Sequence, residues 1–369
     1  MAGRAAYRRG DHGPAVAEVR DRLTRLGFLA SHDDDHRIDV RDGFDDELDA
    51  AVRAFQQQRG LLVDGLVGTA TFRRLEEARW CLGDRVLSFG PGHLTAGDDV
   101  VVLQRRLSQL GFDLGRVDGL FGPLTDRALR EFQRSVGVPS DGTCGPDTFR
   151  AFERLARTMG GAGMAATLRE MSQLDGLTTG VADKVVLIDP GAGNVPGHGG
   201  LTEREVTDDL AARVEGRLAA IGVQVLLTRA PDTAGLPDDA QHASFANDID
   251  ADLVLSLRCE VLDSDQPRGV ATYFYGDPAM GTGSSLGARA AHLVQEEVTS
   301  RTDLLDCQIH AKTWDLLRLT RMPTVRVTCG HLSSPYDAAR LADPNFRDAL
   351  AEGVASAVIR FFAPDRLDT

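Results

Sequence analysis

The amino-acid sequence predicts a multidomain chain: two small all-α three-helix modules, then an α/β domain with a mostly parallel sheet flanked by helices. Three observations predict it. Residues 13–28 match residues 97–112, and residues 51–60 match residues 128–137, so the first half holds an internal repeat. Each copy sets apolar residues at helical spacing, such as Val16, Val19, Leu23 and Leu26. The second half alternates short apolar runs with helical patterns, which implies parallel strands joined by helices.

The elements follow in order. Gly27 and Gly111 each close a helical run, as a helix stop should. The stretch from Asp64 and Gly65 to Phe72 matches that from Asp141 and Gly142 to Phe149. Phe55, Phe72, Phe132 and Phe149 read as helix core rather than ligand stackers. These units span 8–80 and 93–157, and the first carries an acidic insert at 31–36. A glycine-rich linker, residues 158–183, leads into the α/β domain at 184–363 and a polar tail at 364–369. Strands are expected at Val185–Ile188, Val223–Leu227, Leu253–Leu257, Val270–Tyr275 and Val325–Val327, with helices over 203–221 and 285–298. Pocket residues of such a sheet collect at the C-terminal strand ends, where Asp189, Arg258 and Thr328 all fall.

Composition limits the function classes. A net charge of −14 argues against a nucleic-acid partner and against adhesion to anionic lipid. No apolar run reaches the roughly 18 residues that a membrane span needs. No apolar stretch follows the arginines at the N-terminus, so a cytoplasmic protein without an export signal is expected. Cys81, Cys144, Cys259, Cys307 and Cys329 are odd in number and scattered, which reads as buried reduced thiols.

The chemistry-bearing motifs lie in the second half. Asp189-Pro190-Gly191-Ala192 turns out of the first strand, and Glu203 opens the following helix. A strand beginning near Ala251 runs into Arg258, and Met322-Pro323 precedes a strand that reaches Thr328. Leu227-Thr228-Arg229, Ala246-Asn247 and the 269–274 strand complete the pattern. Together these resemble the zinc-dependent N-acetylmuramoyl-L-alanine amidases. The repeats resemble peptidoglycan-binding type 1 modules, and the arrangement is closest to a cytoplasmic actinobacterial branch of that family.

The resemblance implies a zinc-binding His at position 192, a carboxylate ligand at 203, a second His at 258 and a general-base Glu at 328. Here those positions hold Ala192, Glu203, Arg258 and Thr328, so no intact catalytic residue and no metal or cofactor is expected. Zinc would enter only if His198, Cys259 or His331 rebuilt the site, with Glu205 or Glu260 as a substitute base. A Glu203–Arg258 ion pair is expected to bridge the vestigial site in place of the metal.

Two functions follow. One is a non-hydrolytic binding and regulatory protein of peptidoglycan synthesis, taking a peptidoglycan fragment or lipid-linked precursor and a cell-wall synthesis protein as partners. The alternative is an active zinc amidase, a peptidoglycan hydrolase with rebuilt ligands. Residues 313–321 border the vestigial pocket as a candidate docking stretch. Thr369 is a candidate phosphosite in the tail, where phosphate would add about −1.5 to −2 charges.

Overall fold

Glycine stops and Asp-Gly turns cut the first half into short helices. The computed structural model describes residues 6–30, 42–90, 94–156, 179–230, 238–278 and 280–363. The acidic insert, most of the linker, the tail and Thr369 therefore lie outside the described residues. The first module consists of α1 (Pro14–Arg25), α2 (Asp46–Gln58) and α3 (Thr69–Ala78). The second consists of α4 (Asp98–Gln109), α5 (Pro123–Val136) and α6 (Pro146–Ala156). It adds a two-residue antiparallel pair, β1 (Thr95–Ala96) with β2 (Leu120–Phe121). Phe55 and Phe132 are fully buried, whereas Phe72 and Phe149 pack at the edges of the two cores.

A buried glutamine fastens three of the Asp-Gly turns. Gln104 Nε2 donates to Asp118 Oδ1, to the Leu120 carbonyl and to Thr125 Oγ1, and its Oε1 accepts from Gly119 N. Gln133 repeats this with Asp141, Thr143, Thr148 and Gly142, and Gln56 with Asp64, Leu66, Thr71 and Gly65. Every polar group of the buried amide is thereby satisfied, which burial demands. The helix α1 sets Arg20 where the repeat places Gln104, and Arg20 binds the Gly43 carbonyl and Asp45 instead.

The α/β unit runs β3 (Val185–Pro190), α7 (Glu203–Ala219), β4 (Gln224–Leu227), α8 (Asp239–Asp248), β5 (Leu253–Glu260) and β6 (Val270–Asp277). It continues with β7 (Thr282–Gly283), α9 (Ser285–Arg301), β8 (Asp306–Lys312) and α10 (Asp315–Leu319). Last come β9 (Thr324–His331), α11 (Pro335–Ala342) and α12 (Pro344–Phe362). The sheet order is β4-β3-β5-β9-β6-β7, with β8 against β6. Pairing is parallel for β3 with β4 and β5, for β5 with β9 and for β6 with β8, while β6 runs antiparallel to β9.

Alternation along β5 and β9 sends Leu255, Leu257, Cys259, Val325, Val327 and Cys329 into the main core beside α7, α9 and α12. Ser256, Arg258, Arg326 and Thr328 take the alternate positions of the same strands. The cysteine expectation needs correction. All five thiols are free, but Cys81 is exposed and Cys307 half-buried, because each sits in a connection or edge strand rather than a core.

Candidate functional site

The loop after β3 is held before any ligand arrives. Thr207 Oγ1 and Arg229 Nη2 both donate to the Gly191 carbonyl, and Gly191 N donates to the Leu257 carbonyl. Thr202 caps α7 in a reciprocal box with Glu205, whose carboxylate is held below its usual range by the Thr202 backbone N–H. Glu205 is thus committed to the cap and is not placed as a base.

Glu203 folds back onto the loop. Its two oxygens accept from Gly193 N at 2.8 Å and Cys259 N at 3.1 Å. A Cβ on Gly191 or Gly193 would overlap that carboxylate, so a side chain at either position would push Glu203 off the loop.

Asp189 is the hub of the site. Fully buried, it accepts from Thr228 Oγ1 at 2.8 Å, Ser256 Oγ at 2.9 Å and Arg258 Nη2 at 2.6 Å. The Nδ1 atom of His242 lies 2.6 Å from its other oxygen. Burial opposes the charged form, but the Arg258 charge and the His242 contact outweigh it and hold the carboxyl well below the usual range. Arg258 also gives Nη1 to the Asp189 and Leu257 carbonyls.

The expected Glu203–Arg258 pair is therefore corrected: Arg258 pairs with Asp189, and Glu203 with backbone N–H groups. The reason is geometric. The carboxylate of Asp189 lies on the adjacent strand at register with Ser256, where the guanidinium can reach both its side chain and its carbonyl.

The other anticipated residues do not converge. Ala192 is exposed on the loop, and Thr328 is buried on β9. Cys259 faces the main core, where burial pushes its thiol well up. His198 is exposed and lines a separate hollow with Gly199, Leu201 and Pro335. His331 turns toward Asp337, with Nδ1 3.7 Å from its Oδ2. Among the described residues, no group of three or more His, Cys, Asp or Glu side chains is arranged to hold a metal ion.

A cavity of about 320 Å³ remains, lined by Gly193, Val195, Glu203, Arg258, Cys259, Glu260, Val261 and Arg326. Arg326 was not anticipated. Its Nη2 donates to both oxygens of Asp239, at 2.9 and 3.0 Å, and the guanidinium lies 5.1 Å over the Trp314 ring. Trp314 in turn packs on Tyr273 with centroids 4.8 Å apart. Of the stretch proposed for docking, Leu316, Leu317 and Arg318 are buried and Trp314 is half-buried against the cavity's rim. The signal for Arg326, Ser256 and the Asp189 hub was present: polar residues at alternate positions in otherwise apolar strands.

An α/β sheet with this loop and helix start, preceded by two helical repeats, defines a cell-wall amidase-fold protein. The family model for N-acetylmuramoyl-L-alanine amidase matches residues 186–360, and that for the putative peptidoglycan binding domain matches 12–75 and 96–152. The N-acetylmuramoyl-L-alanine amidase CwlM of Mycobacterium tuberculosis is 44% identical over 368 residues, covering 97% of this chain and 89% of that protein. The N-acetylmuramoyl-L-alanine amidase LytC of Bacillus subtilis is 27% identical over 186 residues, 49% of this chain and 36% of its own. The solved amidase AmiC2 of Nostoc punctiforme has a TM-score of 0.44 at 26% identity, covering 49% of this chain and 98% of that one. The chain belongs to the N-acetylmuramoyl-L-alanine amidase family and carries two peptidoglycan-binding domains.

Proposed function

We propose that this chain is a non-hydrolytic binding and regulatory protein of peptidoglycan synthesis, built on the amidase fold with a degenerate zinc site. One observation carries most of the weight: Arg258 stands where the family sets a ligand and is locked onto Asp189 at 2.6 Å. A guanidinium offers no lone pair and stays charged, so it repels a cation rather than binding it. A catalytic zinc needs three protein ligands and an open water position. The methyl group of Ala192 supplies none, and Glu203 already accepts two backbone hydrogen bonds. Thr328 has no basic lone pair to activate water at neutral pH. These residues do not fit the ion.

In this reading the paired modules bring a peptidoglycan fragment or lipid-linked precursor to the protein, and a cell-wall synthesis protein is the partner it regulates in the cytoplasm. Two linked modules raise affinity for a repeating ligand without new contacts. The rival reading, an active zinc amidase, draws on the likeness to the amidases CwlM and LytC and on the retained Glu203. It requires His198, Cys259 or His331 to leave its present surroundings and enter the cavity.

The test is the zinc content of metal-free protein after stoichiometric zinc and desalting. Retention below about 0.1 equivalent is the expected outcome for a site with a single carboxylate ligand. Retention near one equivalent, with release of peptide from muropeptide, would overturn the proposal.

A further inference from the structure

The cavity at the vestigial site holds both signs of charge, and their hydrogen-bond accounts differ. Both oxygens of Glu203 are committed to backbone N–H groups. The Glu260 carboxylate lines the cavity without a hydrogen-bond or ion partner among the described residues. On the cationic side, Arg326 gives Nη2 to Asp239 and Nε to Ser256 at 3.5 Å, so Nη1 bonds to no described residue. Arg258 spends Nη1 and one proton of Nη2, which leaves Nε and the second Nη2 proton. Burial and the neighbouring Arg258 charge push the Arg326 guanidinium down, so an anion beside it would relieve both effects. Val195 and Val261 complete an apolar wall.

We propose that this cavity binds an α-amino-acid head group, with its carboxylate on Arg258 and Arg326 and its ammonium on Glu260. The volume suits such a group, since it lies at the lower end of the roughly 300–1,000 Å³ typical of ligand pockets. Each guanidinium already has a carboxylate partner, so what the cavity offers is free N–H donors: a lone anion would leave Glu260 without a countercharge, and a lone cation would leave those donors without an acceptor. A zwitterion satisfies both, giving Glu260 a countercharge and the free guanidinium donors an acceptor. The apolar wall takes the side chain. This inference rests on the non-hydrolytic reading, because a metal at Glu203 would occupy the same space.

Ligand-observed NMR on the full chain tests it with alanine, N-acetylalanine and alaninamide as probes. Alanine is expected to bind in the millimolar range, as about six heavy atoms permit, and each blocked analogue at least about tenfold more weakly. Glu260→Gln should erase the preference for a free amine while keeping the fold, since Glu260 holds no other side chain. Arg326→Gln should erase the preference for a free carboxylate. Equal binding of alanine and N-acetylalanine, or no binding of alanine at about 10 mM, overturns the inference. Zinc content measured on the same sample separates the two failures. Zinc-free protein that ignores alanine defeats only this inference, whereas zinc-loaded protein defeats the non-hydrolytic reading beneath it.

Discussion

The helical unit and the α/β unit each fasten their loops through a buried polar hub, and the hubs differ in charge. In the modules the hub is a neutral amide: Gln104 makes five hydrogen bonds to its turn and the helix that follows without carrying charge. In the α/β unit it is the ionised Asp189, which gathers Thr228, Ser256, His242 and Arg258. A neutral hub needs only geometry. An ionised hub also needs a cation, and Arg258 supplies it. Arg258, at the position proposed above as a lost metal ligand, is thereby drawn into the framework.

Removing half of the ionised hub should have the largest effect. Arg258→Met leaves Asp189 buried without its countercharge, a change that typically costs about 3–5 kcal/mol. Adding Asp189→Asn to that variant should recover most of the loss. Urea unfolding of a Trp80→Phe background reads this out, because Trp314 then reports the α/β unit alone. A loss below about 1 kcal/mol for Arg258→Met would mean that the pair is only a surface-like contact.

The two hubs should also separate on acidification. The Asp189 carboxyl is depressed in the folded state, so the unfolded chain binds its proton first. The stability it contributes is full above the ordinary carboxylate value of about 4 and is lost as pH falls from there toward the folded value. The Trp314-reported transition should therefore weaken below about pH 4, and Asp189→Asn should flatten that slope. The glutamine hubs have no such titration of their own, although the Asp141 carboxyl beside Gln133 is also lowered by the Thr143 N–H. An unchanged slope in Asp189→Asn would assign the acid sensitivity elsewhere.

Within the modules, Gln104→Leu should cost about 2 kcal/mol, since it strands the buried Gly119 N–H and removes one donor each from the Leu120 carbonyl and Thr125 Oγ1. Gln133→Leu should cost a similar amount, because the same four contacts recur there. Reporting from Trp80 in a Trp314→Phe background isolates the helical unit. Unequal losses would show that the turns differ in how far they relax.

Much of this was legible in the sequence, for physical reasons. The repeat announces the modules because each turn needs the same Asp, Gly, Gln and Thr at the same spacing. Strands β3, β5 and β9 are apolar enough on both faces to stand out as buried parallel strands. Strand β8 was missed, since Asp306–Lys312 is mostly polar and half-exposed at its edge. The partner of Arg258 was misassigned because motif spacing names positions but not reach. Asp189 is distant in sequence and adjacent only through the β3–β5 register.

The smallest expected effect is the most direct comparison of hub types. Arg20 occupies in the first module the place of Gln104 in the second, reaching the Gly43 carbonyl at 3.0 Å and Asp45 at 2.7 Å. Asp45 is less dependent on it than the pairing suggests. It also caps α2 by accepting from Leu48 N, and its carboxylate remains nearly half exposed. Arg20→Gln should therefore change stability by no more than about 1 kcal/mol, because an exposed partner loses little. Its sign is informative. A gain would mean that a neutral amide serves this turn as it serves the other three, and a loss would mean that the Asp45 pair holds the first module's turn to α1.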